Sequence, residues 1–389
     1  MKAGAYHVIV IGGGGTGAAV IHDLALRGFR TTLLEKGEIL SGTTGRHHGL
    51  LHSGARYAVN DREAARECIQ ENKILRRITS GVLELNDGLF VALDDEDEAY
   101  LADFLEGCDA CGIPTRTLTP GEALKLEPNL TPRLRAAVQV PDGTMDAWRL
   151  PLQFFATARR NGARIENYSE VIGFLKASGG IQGVRVLDYR NGREREIMGN
   201  VVVNATGAWA GNLGRLAGVG LRVRPSPGVM VAVQGRLTNM AVSHLHPPGD
   251  GDVIVPQRNL SILGTTSWTA ENPDGIRAPA GDVQRMIDMT ARLVPKVREA
   301  GVVSAWAAAR PLLAEGQIDD SRSLSRTFRC FDHRELEGVE GLISVSGGKA
   351  TVLRAMAETT ADLICRKLGL MIPCRTREEP LAPFRNYYM

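Results

Sequence analysis

The apolar positions of this chain fall into runs of two lengths. Near the N-terminus "YHVIVI" (6–11) is an unbroken β-branched run, the pattern of a parallel strand covered on both faces. Glycines follow at once. "GAAVIHDLALRG" then reads as a helix ended by Gly28, and "TTLLEK" as a second strand finishing at Glu35. The same design returns twice: "NVVVNA" (200–205) runs into Thr206-Gly207, and "GLISVSGG" (341–348) opens a long helix that reaches Gly369. Between these lie "GLFVAL" (88–93), "AAVQV" (136–140), "GVMVAV" (228–233), "DVIVP" (252–256) and "SILGTT" (261–266), which predict further strands. Residues 282–300 predict one amphipathic helix. No internal repeat or low-complexity segment interrupts the pattern.

The glycines carry the first chemical signal. Gly12, Gly14 and Gly17 fill G-x-G-x-x-G, with Gly13 and Gly15 beside them. Gly12 permits the tight turn, Gly14 lets the backbone approach a pyrophosphate, and Gly17 lets helix and strand pack closely. The helix N-terminus offers free N–H groups and a positive dipole end to that pyrophosphate. Glu35 stands where a carboxylate hydrogen-bonds ribose hydroxyls. Strand, glycines, helix, strand and acid in that order predict a bound dinucleotide. The Thr206-Gly207 segment resembles the one that returns a strand to the sheet beside the cofactor in FAD-dependent oxidoreductases, and the second glycine turn, at Gly347-Gly348, opens a helix that can aim N–H groups at a flavin; together they favour FAD over NAD.

Composition narrows the field. Hydrophobic residues are 43% and charged residues 23% of 389, enough for a large core and two domains. The formal net charge is only +2, which excludes a nucleic-acid binder working by bulk charge. No run approaches the ~18 apolar residues of a membrane span, and the N-terminus does not read as a signal peptide. A cytoplasmic protein is expected, with peripheral contact at the inner face of the cell membrane left open. Cys108 and Cys111 form a lone CxxC at a predicted helix end and read as two ordinary thiols, so no metal site is assigned. The tail "LAPFRNYYM" (381–389) reads as a mobile end.

"SGTTGRHHGLLHSGARYAV" (41–59), "VPDGTMDAWRL" (140–150), "NATGAWAGNL" (204–213), "AAARPLL" (307–313) and "SVSGGKATVLRAMAE" (344–358) resemble the glycerol-3-phosphate dehydrogenase branch of the D-amino-acid-oxidase-like flavoproteins, and most nearly its anaerobic A subunit. The resemblance implies an α/β fold: a Rossmann-like FAD-binding domain of the D-amino-acid-oxidase/glutathione-reductase type, with an inserted, mainly antiparallel substrate-binding sheet. The expected flavin domain comprises 1–75, 146–220 and 335–375, the substrate domain 76–145 and 221–334, and the tail 376–389. Non-covalent FAD would be held by Gly12, Gly14, Gly15, Thr16, Gly17, Glu35, Lys36, Thr43, Thr44, Val171, Ala205, Thr206, Gly207, Trp209, Gly347, Gly348, Lys349, Ala350 and Thr351. Anaerobic A subunits continue into an iron–sulfur domain. Here only Cys365 and Cys374 follow the last flavin segment, so no such centre is expected and electrons would leave for a quinone or a separate subunit. A homo-oligomer is left open.

The same resemblance assigns His52, Arg56, Tyr57 and Arg310 to the reacting centre, and Arg56, Arg310, Arg326 and Lys349 to the substrate. Guanidinium groups suit the oxygens of a phosphorylated polyol. Lys349 would also stabilise a reduced, anionic flavin. Among the histidines, His52 is the preferred base, because an ordinary imidazole titrates near neutrality. His47 and His48 are second to it. Where relatives place a histidine in a later strand, this chain has Met230, which leaves a water or Tyr57 as alternative proton acceptors. The implied reaction is oxidation of sn-glycerol 3-phosphate to dihydroxyacetone phosphate, with hydride passing from C2 to flavin N5. Two alternatives stay open: a flavin dehydrogenase for a 2-hydroxy acid such as 2-hydroxyglutarate, and a flavin-binding subunit without its own activity. Arg56 also has ordinary surface partners within reach, Asp61 and Glu63.

Overall fold

The computed structural model describes residues 2–177, 180–313 and 327–389. Its first layer is a six-stranded sheet in the order Phe328–Asp332, Leu342–Gly347, Val201–Asn204, β1 (His7–Ile11), β2 (Arg30–Leu34), Arg164–Glu166. All neighbours are parallel except the edge strand Phe328–Asp332. The unbroken apolar runs are explained by what lies on each face. Val8, Val10, Leu33, Val201, Val203, Ile343 and Val345 meet the helices α1 (Gly15–Leu26), Arg149–Arg160 and Leu353–Lys367. Their neighbours Ile9, Ile11, Leu34, Val202 and Leu342 meet a three-stranded meander, through Val171, Ile181, Val184 and Val186. With both faces covered, the central strands are buried along their apolar runs, and exposed polar residues stand only at a strand end, Arg30, or in the edge strands, Arg164 and Arg329.

The second layer is an eight-stranded sheet running Val302–Leu313, Val223–Gln234, Leu260–Gly264, Val253–Gln257, Ala241–His244, Gly88–Ala92, Ala136–Val140, Arg116–Leu118. It is antiparallel throughout, save for the parallel pair Ala241–His244 and Gly88–Ala92. Val229, Val231, Val233, Leu89, Val91, Ile254 and Leu263 point to one side, under helix Ala280–Thr290 and its Met286. Among the described residues no helix is long and apolar enough to cross a membrane.

Three expectations need correction. The predicted helix over 282–300 is helix Ala280–Thr290, a turn, and the 3-10 segment Pro295–Arg298. The Thr290 hydroxyl donates to the Met286 carbonyl at 2.6 Å, and Pro295 holds Val294 extended, which stops the helix from running on to residue 300. The tail is not a loose end. Thr376, Leu381 and Ala382 are buried, Leu381 N donates to the Ile78 carbonyl, and Ala382 N donates to Thr157 Oγ1, each at 2.8 Å. Strand Phe328–Asp332, assigned above to the substrate layer, pairs with Leu342–Gly347 in the flavin layer.

Candidate active site

Two cavities meet between the layers. One, of about 770 Å³, is lined by Gly12, Gly14, Gly15, Thr16, Glu35, Lys36, Val171, Ala205, Thr206 and Trp209. The other, of about 920 Å³, is lined by His47, His48, His52, Arg56, Tyr57, Arg310 and the turn Gly347–Ala350. Thr16, Thr43, Thr44 and Gly207 border both, so the two cavities adjoin.

The first cavity has the shape a dinucleotide requires. Gly12 is left-handed at φ +108°, and a Cβ on it would lie 2.7 Å from the Ala205 carbonyl oxygen. A Cβ on Gly17 would lie 1.9 Å from the Gly12 oxygen, so only glycine lets α1 start this close to the strand. Glu35 is fixed by Gly13 N at 2.7 Å and Gly37 N at 2.8 Å, at the end of β2. Gly15 N donates to Thr44 Oγ1 at 2.9 Å, and the Lys36 ammonium lies 5.3 Å from the Trp209 ring centroid. An open helix N-terminus, a glycine cradle and a terminal carboxylate together fit the adenosine and pyrophosphate of FAD. Thr351 does not line either cavity. Its buried hydroxyl accepts from His52 N at 3.1 Å and fixes the histidine segment instead.

At the second cavity Gly347 and Gly348 are both left-handed, at φ +85° and +72°, and place Lys349 on the wall. Its Nζ lies 4.7 Å from the Tyr57 ring centroid, and Tyr57 lies 5.5 Å from the His52 ring. Arg310 donates to the carbonyls of Ser226, Pro227 and Thr266 and to Thr265 Oγ1. Arg56 ignores Asp61 and Glu63. Its Nη2 pairs with Asp252 Oδ2 at 2.7 Å and donates to the Gly249 carbonyl at 3.1 Å. Asp252, 2% exposed, also accepts from Gly249 N at 3.0 Å. Arg326 lies outside the described residues.

The histidines are distinguished by their ring nitrogens. Gly49 N donates to His47 Nδ1 at 2.9 Å and Leu50 N to His48 Nδ1 at 3.1 Å, which leaves each with a protonated Nε2 when neutral. Among the described residues no hydrogen bond uses either ring nitrogen of His52. Burial is the main force lowering all three: His47 to about 4, His48 to about 3, and His52 well below the usual imidazole value. For His52 the neighbouring His48, Lys349 and Arg56 push the same way. Met230 is buried among Ala232, Ile262 and Ala308 and contributes no proton acceptor.

Sequence reasoning missed Asp252, Thr265 and Thr266. "PPGDGDVIVP" announces only a turn before a strand, and nothing local says that its carboxylate reaches Arg56. It missed Asp142 too, a buried cavity-wall carboxyl that accepts from Ser53 N at 2.5 Å and whose pKa burial raises.

Comparison with known proteins agrees with this geometry. Residues 7–363 match the FAD dependent oxidoreductase family. The chain belongs to the FAD-dependent oxidoreductase family. Within that family it is 43% identical to the anaerobic glycerol-3-phosphate dehydrogenase subunit A1 of Haloferax volcanii, over 98% of this chain and 67% of that protein. Among solved members, glycine oxidase from Geobacillus kaustophilus superposes with a TM-score of 0.76 at 25% identity, covering 97% of this chain and 99% of that one. The glycerol-3-phosphate dehydrogenase from Bacillus halodurans complexed with FAD gives 0.73 at 26%, covering 98% and 69%.

Proposed function

We propose that this FAD-dependent oxidoreductase oxidises sn-glycerol 3-phosphate to dihydroxyacetone phosphate. The observation that carries the reading is the set of cations lining one cavity, Arg56, Arg310 and Lys349, together with His52, whose ring nitrogens make no hydrogen bond among the described residues. The names of the relatives from Haloferax volcanii and Bacillus halodurans support the same substrate. Bound FAD supplies the two-electron acceptor for the hydride leaving C2.

Arg310 and Arg56 grip the phosphate through charge-assisted hydrogen bonds and so fix the alcohol carbon in place. His52, neutral in the free enzyme, takes the C2 hydroxyl proton on a ring nitrogen. The phosphate dianion offsets the three cations and raises the basicity of His52 as substrate arrives. Tyr57 and Lys349 close the wall behind it. Gly12, Gly14, Gly15, Thr16, Glu35, Lys36 and Trp209 hold the cofactor. In this reading the flavin-binding part comprises 1–75, 146–220 and a last segment that begins with strand Phe328–Asp332. A separate electron-transfer partner receives the electrons, a role supported by the relative's designation as a subunit.

One observation favours the 2-hydroxy-acid alternative. Asp252 already balances Arg56, which lowers the net positive charge facing the substrate. Turnover with an artificial electron acceptor decides between them. Glycerol 3-phosphate should give a kcat/KM at least a hundredfold above glycerol and 2-hydroxyglutarate. A preference for the hydroxy acid would overturn the assignment.

A further inference from the structure

The segment 265–279 has no regular secondary structure, yet it borders both cavities. Thr265, Thr266 and Ser267 line the substrate side, while Pro273, Asp274, Gly275, Ile276 and Arg277 line the cofactor side. Its first part is fastened to strand Val223–Gln234, where Trp268 N donates to the Pro227 carbonyl at 3.2 Å and Ala270 N to the Pro225 carbonyl at 3.0 Å. Ile276 and Ala278 pack on the core of the substrate layer. Its tip crosses to the other layer: Trp209 Nε1 donates to Asp274 Oδ1 at 2.8 Å. Trp209 is itself fixed, with Gly42 against its ring and Lys36 near its face.

We propose that residues 273–277 are a cofactor-binding strap contributed by the substrate layer, pinned by the Trp209–Asp274 hydrogen bond. Arg277 lies on the wall of the cavity that holds the glycine cradle, and supplies positive charge to the anionic half of FAD. Trp209 then has two roles, as a wall of the cavity and as the donor that keeps the strap down. Because Thr265 and Thr266 also hold Arg310, the strap joins cofactor retention to the substrate wall.

The test measures FAD binding to the purified full chain by the fluorescence of released cofactor, with no substrate present. It is therefore independent of which alcohol is oxidised. Asp274→Ala should weaken FAD binding about fivefold, the usual effect of losing one hydrogen bond. Trp209→Phe should weaken it by at least as much, and adding Asp274→Ala to Trp209→Phe should change nothing further. Asp274→Asn keeps an acceptor oxygen and should retain most of the affinity. Arg277→Gln should weaken binding and flatten its salt dependence. Asp274 and Arg277 are exposed, so these variants should fold. FAD affinity within twofold of the parent in both Asp274→Ala and Arg277→Gln would overturn the proposal. So would fully additive effects of Trp209→Phe and Asp274→Ala.

Discussion

Arg56→Ala separates a substrate-binding role from a structural one. In the parent, Arg56 Nη2 sits 2.7 Å from Asp252 Oδ2, with side-chain exposures of 20% and 2%. Truncation leaves the buried carboxylate with Gly249 N at 3.0 Å and His246 Nε2 at 3.9 Å. Breaking a fully buried pair by removing one partner costs about 3–5 kcal/mol. Water reaches the Arg56 side, so a loss of about 1–3 kcal/mol is expected, a fall of several degrees in Tm. The lost charge-assisted contacts to phosphate, about 1.5–3 kcal/mol, should raise KM for glycerol 3-phosphate roughly 10- to 100-fold. The double variant Arg56→Ala/Asp252→Ala removes the stranded charge. Its Tm should recover most of the loss while its KM stays high. Thermal unfolding and steady-state kinetics on the parent and both variants read the two effects apart. If the double variant regains the parent KM as well, Arg56 serves only as the counter-charge of Asp252, and the phosphate-gripping argument fails.

Gly17→Ala should weaken FAD binding at least tenfold, since the new Cβ would meet the Gly12 backbone oxygen at 1.9 Å and neither atom can rotate away; cofactor release followed by fluorescence checks it. Glu67 gives a pH-dependent case. Burial raises its carboxyl from 4.5 to about 7 against the opposing pull of Lys349, so the folded chain holds this proton more tightly than the unfolded chain. Its contribution to stability is full below about pH 4.5 and is lost as pH rises through about 7. Glu67→Gln should therefore raise Tm at pH 8 more than at pH 5, and an equal change at both would contradict the burial argument.

The flavin layer was legible because its strands are covered on both faces, which writes them as continuous β-branched runs, and because its turns need glycine at fixed places. Gly12, Gly17, Gly347 and Gly348 each stand where a side chain would collide with backbone or a packed neighbour. Lys349, which follows the second glycine turn, lines the adjoining cavity. The pairing of Arg56 was not legible. Asp61 and Glu63 are nearer in sequence, but Asp252 is brought to Arg56 by a strand of the other layer, and only tertiary packing decides that. The end of helix Ala280–Thr290 was misplaced because amphipathic spacing persists past Thr290, while Pro295 holds Val294 extended and so stops the helix from continuing. The docking of the tail depends on contacts with Ile78, Thr157 and Arg354, which no local pattern announces. The family resemblance places Thr351 with the cofactor residues, and only the folded chain shows that its hydroxyl accepts from His52 N.

The most direct measurement is anaerobic mixing of the FAD-loaded protein with sn-glycerol 3-phosphate, unlabelled and deuterated at C2, while the oxidised-flavin absorbance is followed. The account predicts complete bleaching in one phase that the deuterium slows several-fold, and no bleaching by glycerol at the same concentration. Loaded flavin that stays oxidised, or that bleaches without an isotope effect, would contradict hydride removal from C2 by this site.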